Sequence, residues 1–181
     1  MTLYDGRPSD SAGRELRELR TYDWLDNLKI SYQRTDHERA DNMEACYAID
    51  AVLGVVICKN LFLCNRQKTA YYLLMMPGRK KFKTKELSAQ IQSARLSFAD
   101  EDDMLRLLDI MPGAVSVMGL MNDRDRKVNL LIDEDILKDD YIGCHPCVCT
   151  SSLKIATKDI VEKFLPSTGH NYRTVRLKGE D

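Results

Sequence analysis

A lysine followed by an asparagine, Lys59-Asn60, stands between two apolar runs of strand-like composition. An ammonium group is costly to bury without a partner, but the stem of a lysine packs well against apolar neighbours while its head stays polar. Two interpretations follow. The Lys59 head faces a cleft, where it binds a phosphate, a carboxylate or a polarised carbonyl, or it ends a strand and points into water. Spacing alone leaves both open.

A second group of reactive side chains lies in residues 143–150, which hold three thiols and one imidazole: Cys144, His145, Cys147 and Cys149. The thiols form a CxxC and a CxC, but there is no second pair at the spacing of a structural zinc site, so we expect no metal. A metal site completed by Cys58 or Cys64 remains the alternative. His145 precedes a proline, and it is either a loop histidine fixed by that proline or a donor or acceptor beside a reacting carbonyl.

Two other segments could contact a ligand. Residues 111–123 contain small residues flanked by Gly113 and Gly119, which would let backbone N–H groups approach a ligand, although a turn explains the pattern equally well. Residues 79–85 contain five basic residues in seven and one aromatic, a texture typical of a phosphate-contacting loop. A solvated charge run is the alternative. The candidate RNA contacts are Arg79, Lys80, Lys81 and Lys83.

The composition sets limits on the class of protein. The chain has 181 residues, 44% of them hydrophobic, with 27 Lys+Arg against 28 Asp+Glu. This length suits one domain, which we place at residues 11–181 after a flexible segment at 1–10. The longest apolar run, residues 51–58, is far shorter than the roughly 20 residues of a membrane span. We therefore expect a cytoplasmic protein with reduced cysteines and no membrane partner.

Hydrophobic periodicity and turn residues predict interleaved helices and strands. Helices are expected from about Ser11, after an Asn42 cap, from Thr84, over residues 100–108, and from Thr157 to about residue 165. Strands are expected at residues 30–35, 55–58, 61–64, 70–76, 114–118, 128–132 and 153–156, with an edge strand at 175–177. This order predicts an α/β (α+β) fold, with a mixed, largely antiparallel, twisted sheet flanked by helices.

Several short segments, taken in order, resemble the YbaK/ProX family of prolyl-tRNA editing proteins, and the ProX (PrdX) branch in particular. The matching residues include Lys59, Asn60, Gly113, Ala114, Val115, Ser116, Gly119, Asn122, Asp123, Gly143, His145 and Thr150. The resemblance covers about residues 12–178 and implies the editing-domain fold. It also implies an aminoacyl-tRNA deacylase that needs no cofactor and removes alanine from mischarged tRNA-Pro.

The resemblance further implies roles for these residues. Lys59 and His145 would act at the ester, and we expect the Lys59 amine and the His145 ring to converge on one cavity. The other ten would bind the substrate, with residues 113–116 receiving the aminoacyl group. The acceptor end of tRNA-Pro is the implied partner, and prolyl-tRNA synthetase is a candidate partner. A family proline is replaced by Val117 and a family serine by Ala114, which bears on the choice of amino acid. A non-catalytic module that senses an amino acid or a charged tRNA is the alternative.

Overall fold

The strands form two sheets rather than the single sheet expected from the sequence. In this computed structural model, which describes residues 1–40 and 42–179, the first sheet is antiparallel and has the order β1-β2-β8-β7. Its strands are β1 (Leu3–Asp5), β2 (Tyr32–Asp36), β7 (Tyr141–Cys144) and β8 (Ser151–Ala156). The second sheet has the order β5-β3-β4-β6-β9, with β6 parallel to both its neighbours. Its strands are β3 (Lys59–Asn65), β4 (Tyr71–Met76), β5 (Leu96–Phe98), β6 (Val128–Asp133) and β9 (Tyr172–Val175). The mixed α/β class is confirmed.

The helices fall between the strands, and two of them begin after side-chain caps at Asn42 and Asp100. They are α1 (Leu16–Asn27), α2 (Met43–Leu53), α3 (Thr84–Ile91), α4 (Glu101–Leu108), α5 (Thr157–Asp159) and α6 (Leu165–Thr168), the last two joined by a π-helical stretch at Ile160–Phe164. The Asn42 side chain accepts a hydrogen bond from the Ala45 amide, which satisfies one of the free donors at the start of α2. Among the described residues, no helix is long and apolar enough to cross a membrane.

Two apolar clusters account for the patterning of the central strands. The main core lies on the face of the second sheet that carries Phe62 and Leu73, and α1 and the first sheet also contribute to it. A smaller cluster on the opposite face packs Leu63 and Leu74 against Leu87 of α3. Because β4 is covered on both faces, its sequence is continuously apolar rather than alternating.

Several expected boundaries were wrong. Residues 114–118 form no strand: Ser116 caps a 3₁₀ helix, Val117–Asn122, instead. A Cβ on Gly119 would lie 2.6 Å from Ile110 Cδ1, so this helix packs directly on the end of α4. The first helix begins at Leu16, not Ser11, and Leu16 itself is 76% exposed. The sequence did not predict β1, β5 or β7, each of which has only three or four residues.

Short backbone contacts join the two sheets near the start of β3. Ile57 forms a single bridge with Gly143 instead of the expected strand at 55–58, and the Cys58 amide donates to the Gly143 carbonyl at 2.8 Å. A Cβ on Gly143 would lie 2.9 Å from Ile57 Cα, so only glycine allows this approach. The loop after β7 is thereby held against the segment before β3. At the N-terminus, β1 pairs with β2, while the division of the chain at residue 10 remains a prediction.

Candidate functional site

A cavity of about 480 Å³ lies where α2, the turn after β4 and the loop after β7 meet. Its walls are apolar side chains, two cysteines and a few charged or imidazole groups: His37, Arg39, Ala40, Cys46, Tyr47, Ile49, Asp50, Val56, Ile57, Gly78, Arg79, Gly113, His145 and Cys149. A mostly apolar hollow of this size with a few converging polar groups is typical of a small-ligand site.

His145 lies in the cavity wall directly after β7. Its Nδ1 is 3.0 Å from the Ser151 carbonyl oxygen, and a carbonyl only accepts, so Nδ1 carries the proton in this contact. Burial lowers the pKa of His145, and the nearby His37 lowers it further, although the Ser151 contact acts in the opposite direction. The ring is therefore held neutral at pH 7, with Nε2 as an unprotonated acceptor.

A second imidazole, His37, lies in the same wall and was missed in the sequence. Its Nδ1 lies 2.8 Å from the Glu38 carbonyl oxygen and its Nε2 lies 2.8 Å from Ser152 Oγ. The centres of the His37 and His145 rings are 6.4 Å apart. His37 follows β2 immediately, and no local motif marks it. Its position at the end of a predicted strand was the one feature of the sequence that could have indicated a functional role.

A partly buried polar network joins Asp36, the residue before His37, to Ser151, the residue that contacts His145. Ser151 Oγ donates to Asp36 Oδ1 at 3.0 Å, and Arg14 and Arg34 also donate to the Asp36 carboxylate. Burial raises the pKa of Asp36, but hydrogen bonds from these two arginines and Ser151 outweigh it and hold the pKa well below its usual range. Since Ser151 also presents its carbonyl to His145, the network fixes the position of that ring.

An aromatic ring and a guanidinium form the mouth of the cavity. Tyr47 of α2 is 49% exposed, and the Arg79 guanidinium carbon lies 5.2 Å from the centre of its ring. Arg79 also lies 3.9 Å from the carboxylate of Asp50, which accepts a hydrogen bond from the Ile57 amide. The mouth thus combines a positive charge with an aromatic face, a combination suited to a nucleotide.

The Lys59 side chain does not line the cavity. Its amine donates at 2.7 Å to the carbonyl of Lys80, the residue that follows Arg79 of the cavity wall. Along β3, Lys59 alternates with Asn60, so it shares its strand face with Leu61 and Leu63 of the smaller cluster. The structure therefore does not bring the ammonium and the His145 imidazole onto one cavity as expected, and a role for Lys59 at the ester remains a prediction.

Three of the residues expected to bind substrate lie in or beside the cavity. Gly113 is part of the wall. Gly143 contributes its backbone contact with Cys58, and the Thr150 carbonyl accepts from the His37 amide at 3.0 Å. Asn60 is not part of the wall and donates to the Cys58 carbonyl, while its own Oδ1 is buried and has no hydrogen-bond partner among the described residues.

The remaining expected substrate residues lie outside the lining and make internal contacts. Ala114, Ser116 and Gly119 are buried in the core, and Val115 packs against it. Asn122 donates to the Leu108 carbonyl at 2.8 Å. Asp123 is 3% exposed and accepts from two backbone amides and from His170. In this structure these side chains stabilise the fold around α4 and β6.

The basic residues expected to contact RNA differ in their surroundings. Arg79, Lys81 and Lys83 are exposed. The Lys80 amine instead contacts Asp133 at 2.8 Å, Asp135 at 2.7 Å and the Leu177 carbonyl at 2.8 Å. Asp133 is fully buried, so Lys80 neutralises an internal carboxylate and ties down the C-terminal segment.

The thiols are free, and most are buried. Burial raises the pKa of Cys58 and of Cys147 to about 12 and raises that of Cys144 still further. These thiols are therefore protonated at neutral pH and packed as small apolar groups. Within residues 1–40 and 42–179, no three His, Cys, Asp or Glu side chains are arranged to hold a metal ion.

A larger groove of about 850 Å³ lies elsewhere, near Asp26 and Tyr141, and none of the twelve residues expected to act on or bind the substrate lines it.

The chain matches a known protein family and several known relatives. The model of the aminoacyl-tRNA editing domain matches residues 37–163, a segment that begins at His37 and contains His145. The chain is 30% identical to prolyl-tRNA editing protein ProX of Acetoanaerobium sticklandii, covering 84% of this chain and 93% of the relative. It is 28% identical to prolyl-tRNA synthetase associated domain-containing protein 1 of Xenopus laevis, covering 88% and 95%.

The fold also matches a solved structure. A crystal structure of a candidate trans-editing enzyme for prolyl tRNA synthetase superposes with a TM-score of 0.68 at 14% identity, covering 91% of this chain and 98% of the other. At that identity the match concerns the fold alone. The family match extends over most of the chain, and the ProX relative is matched over nearly its whole length. The chain belongs to the aminoacyl-tRNA editing domain family, as a ProX-type aminoacyl-tRNA deacylase.

Proposed function

We propose that this protein hydrolyses Ala-tRNA-Pro and thereby corrects a charging error of prolyl-tRNA synthetase. The observation that carries the proposal is the neutral His145 imidazole in the wall of a cavity of about 480 Å³. The similarity to a prolyl-tRNA editing protein supports the choice of tRNA-Pro. Prolyl-tRNA synthetase is the partner that this activity would serve.

In this proposal His145 acts on the attacking water. Its unprotonated Nε2 accepts a proton as the water oxygen bonds to the ester carbonyl carbon. The tetrahedral intermediate then expels the ribose oxygen, which takes up the proton, so that alanine and free tRNA leave. An aminoacyl ester is labile, so no nucleophilic side chain is needed. Lys59, if its amine leaves the Lys80 carbonyl, would supply positive charge to the ester or the terminal phosphate.

Discrimination between alanine and proline would come from the size of the cavity. A synthetase site built for proline rejects a smaller amino acid weakly, because missing methylenes are worth only about 1–3 kcal/mol. A second site that admits alanine and excludes proline corrects this. The side chains of Ile49 and Ile57 and the Gly113 backbone would set that limit.

The acceptor end of the tRNA would enter at the mouth of the cavity. Tyr47 offers a half-exposed ring on which a base can stack, and Arg79 places a positive charge beside it. Base-on-aromatic stacking contributes about 1–3 kcal/mol. Lys81 and Lys83 extend the positive surface next to Arg79, where they would lie against the tRNA backbone.

The test is a deacylation panel with tRNA-Pro charged with alanine, cysteine or proline. We expect the wild type to release alanine fastest and to leave Pro-tRNA-Pro intact. His145→Ala should lower the rate constant for alanine release by about 100-fold or more, the usual contribution of a general base. Lys59→Ala tests the proposed charge at the ester. Lys158→Ala, at a side chain 77% exposed on α5, is the matched control for loss of a lysine.

The outcomes separate the possibilities. Full activity of His145→Ala would remove His145 from the mechanism, and full activity of Lys59→Ala would do the same for Lys59. If cysteine or proline were released faster than alanine, the substrate would be tRNA-Pro charged with that amino acid instead. Saturable binding of charged tRNA without turnover of any ester would identify a sensing module instead of an enzyme.

A further inference from the structure

The imidazoles of His37 and His145 are connected through one hydroxyl group. Ser152 Oγ lies 2.8 Å from His37 Nε2 and 3.4 Å from His145 Nδ1. Ser152 lies on β8, opposite Thr35 of β2 in the register of the first sheet. The hydroxyl therefore bridges a residue at the end of one strand and a residue in the loop before another.

The direction of each hydrogen bond follows from its partners. His37 Nδ1 faces the Glu38 carbonyl at 2.8 Å and must donate to it. In the neutral ring Nε2 is then an acceptor, so the single proton of Ser152 points to His37. The Ser152 oxygen turns its lone pairs toward His145 Nδ1, whose proton it shares with the Ser151 carbonyl.

We infer that His37 is a positioning residue for His145, and that by holding the Ser152 proton it reinforces the His145 tautomer that the Ser151 carbonyl favours and that presents an acceptor to the cavity. The inference deepens the proposed function and rests on the role given there to His145. If the Ser152 proton pointed to His145 Nδ1 instead, the ring would carry its proton on Nε2. The cavity would then face a donor, which cannot take a proton from water.

His37 is well placed for this task because the bridge is fixed at both ends. The His37 amide donates to the Thr150 carbonyl at 3.0 Å, and Ser152 is fully buried. Neither group has to reorder for the bridge to form. Two oxygens, from Ser151 and Ser152, then favour the proton on the same nitrogen of His145.

The test uses two pairs of variants and a readout of the His145 ring itself. Ser152→Ala removes the bridge, and Ser152→Thr restores the hydroxyl. His37→Gln keeps an amide oxygen at the position of Nε2, whereas His37→Asn keeps a donor only at the position of Nδ1. The ¹⁵N chemical shifts of the His145 ring report which nitrogen is protonated, and deacylation kinetics give kcat and KM for each variant.

We expect Ser152→Ala and His37→Asn each to raise the population of the Nε2-protonated tautomer and to lower kcat about 10-fold with little change in KM, the size of effect usual for a group that orients a functional histidine. Ser152→Thr and His37→Gln should remain close to the wild type. The double variant His37→Asn/Ser152→Ala should be no slower than either single variant, because both substitutions break the same connection from His37 to His145.

Unchanged His145 shifts in Ser152→Ala would overturn the inference, as would effects of the two single variants that multiply in the double. The shifts are measured without substrate. If the wild type hydrolyses no ester, the proposed function fails while the tautomer experiment still decides the inference. If His37→Asn does not fold, the Ser152→Ala and Ser152→Thr pair decides it alone.

Discussion

Replacement of Asp123 by alanine should unfold this protein more readily without affecting its chemistry. The Asp123 carboxylate is 3% exposed and accepts hydrogen bonds from the Lys127 amide at 3.0 Å, the Val128 amide at 2.8 Å and His170 Nε2 at 2.9 Å. His170 is buried as well. Asp123→Ala would leave three donors around a small void with no acceptor.

The expected magnitude follows from those contacts. An unsatisfied buried donor costs about 1–3 kcal/mol, and Asp123→Ala leaves three such donors. Since part of the cost is relieved by water and relaxation, we expect a total loss of about 3–5 kcal/mol in the free energy of unfolding. For a chain of this size, each kcal/mol lowers Tm by about 2–4 °C, so Tm should fall by roughly 6–20 °C.

Urea unfolding and thermal melts followed by circular dichroism measure this change. Asp125→Ala is the matched control, because that side chain is 79% exposed and surface substitutions usually stay within about 0.5 kcal/mol. At a temperature where both variants are folded, alanine release should match the wild type. Asp123→Asn, which keeps one acceptor oxygen, serves as the milder variant if Asp123→Ala does not fold.

The contrary result would be equally clear. If Asp123→Ala keeps the wild-type Tm and loses deacylation, the carboxylate contacts substrate, as the family resemblance implied. The assignment of Asp123 to the framework between α4 and β6 would then be wrong.

Two further predictions concern charged residues. Lys80→Ala should lower the free energy of unfolding by about 3 kcal/mol because it leaves the buried Asp133 carboxylate without its cation, whereas Lys83→Ala should leave Tm unchanged and reduce the salt dependence of kcat/KM. Equal melting of the two variants would contradict this. The folded-state pKa of Asp36 is lowered, below the value of about 3.9 in an unfolded chain. Its stabilisation is therefore present above pH about 4 and is lost as pH falls through the folded pKa. Asp36→Asn should flatten the acid limb of a plot of unfolding free energy against pH, and an unchanged limb would refute the assignment.

Local sequence determined most of the secondary structure. The Asn42 cap, the apolar run of β4 and the strand at Val128–Asp133 were all predicted, because capping and hydrophobic periodicity act within a few residues. The short strands β1, β5 and β7 were not, since three or four residues carry no periodicity. Residues 114–118 have the composition of a strand, but residues 117–122 form a 3₁₀ helix, because Gly119 allows the chain to pack closely against Ile110.

The sequence by itself also determined the family and marked His145, through an ordered series of short motifs and a His-Pro pair. Only the tertiary structure decided which candidates share a cavity. His37 lies 115 residues from Ser152, and no local pattern can signal a contact over that separation. Lys80 and Asp123 carry the charges of ligand-binding residues, but the folded chain provides buried partners for both. A side chain's type is set by the sequence, whereas its partners and its exposure to water depend on how distant strands pack.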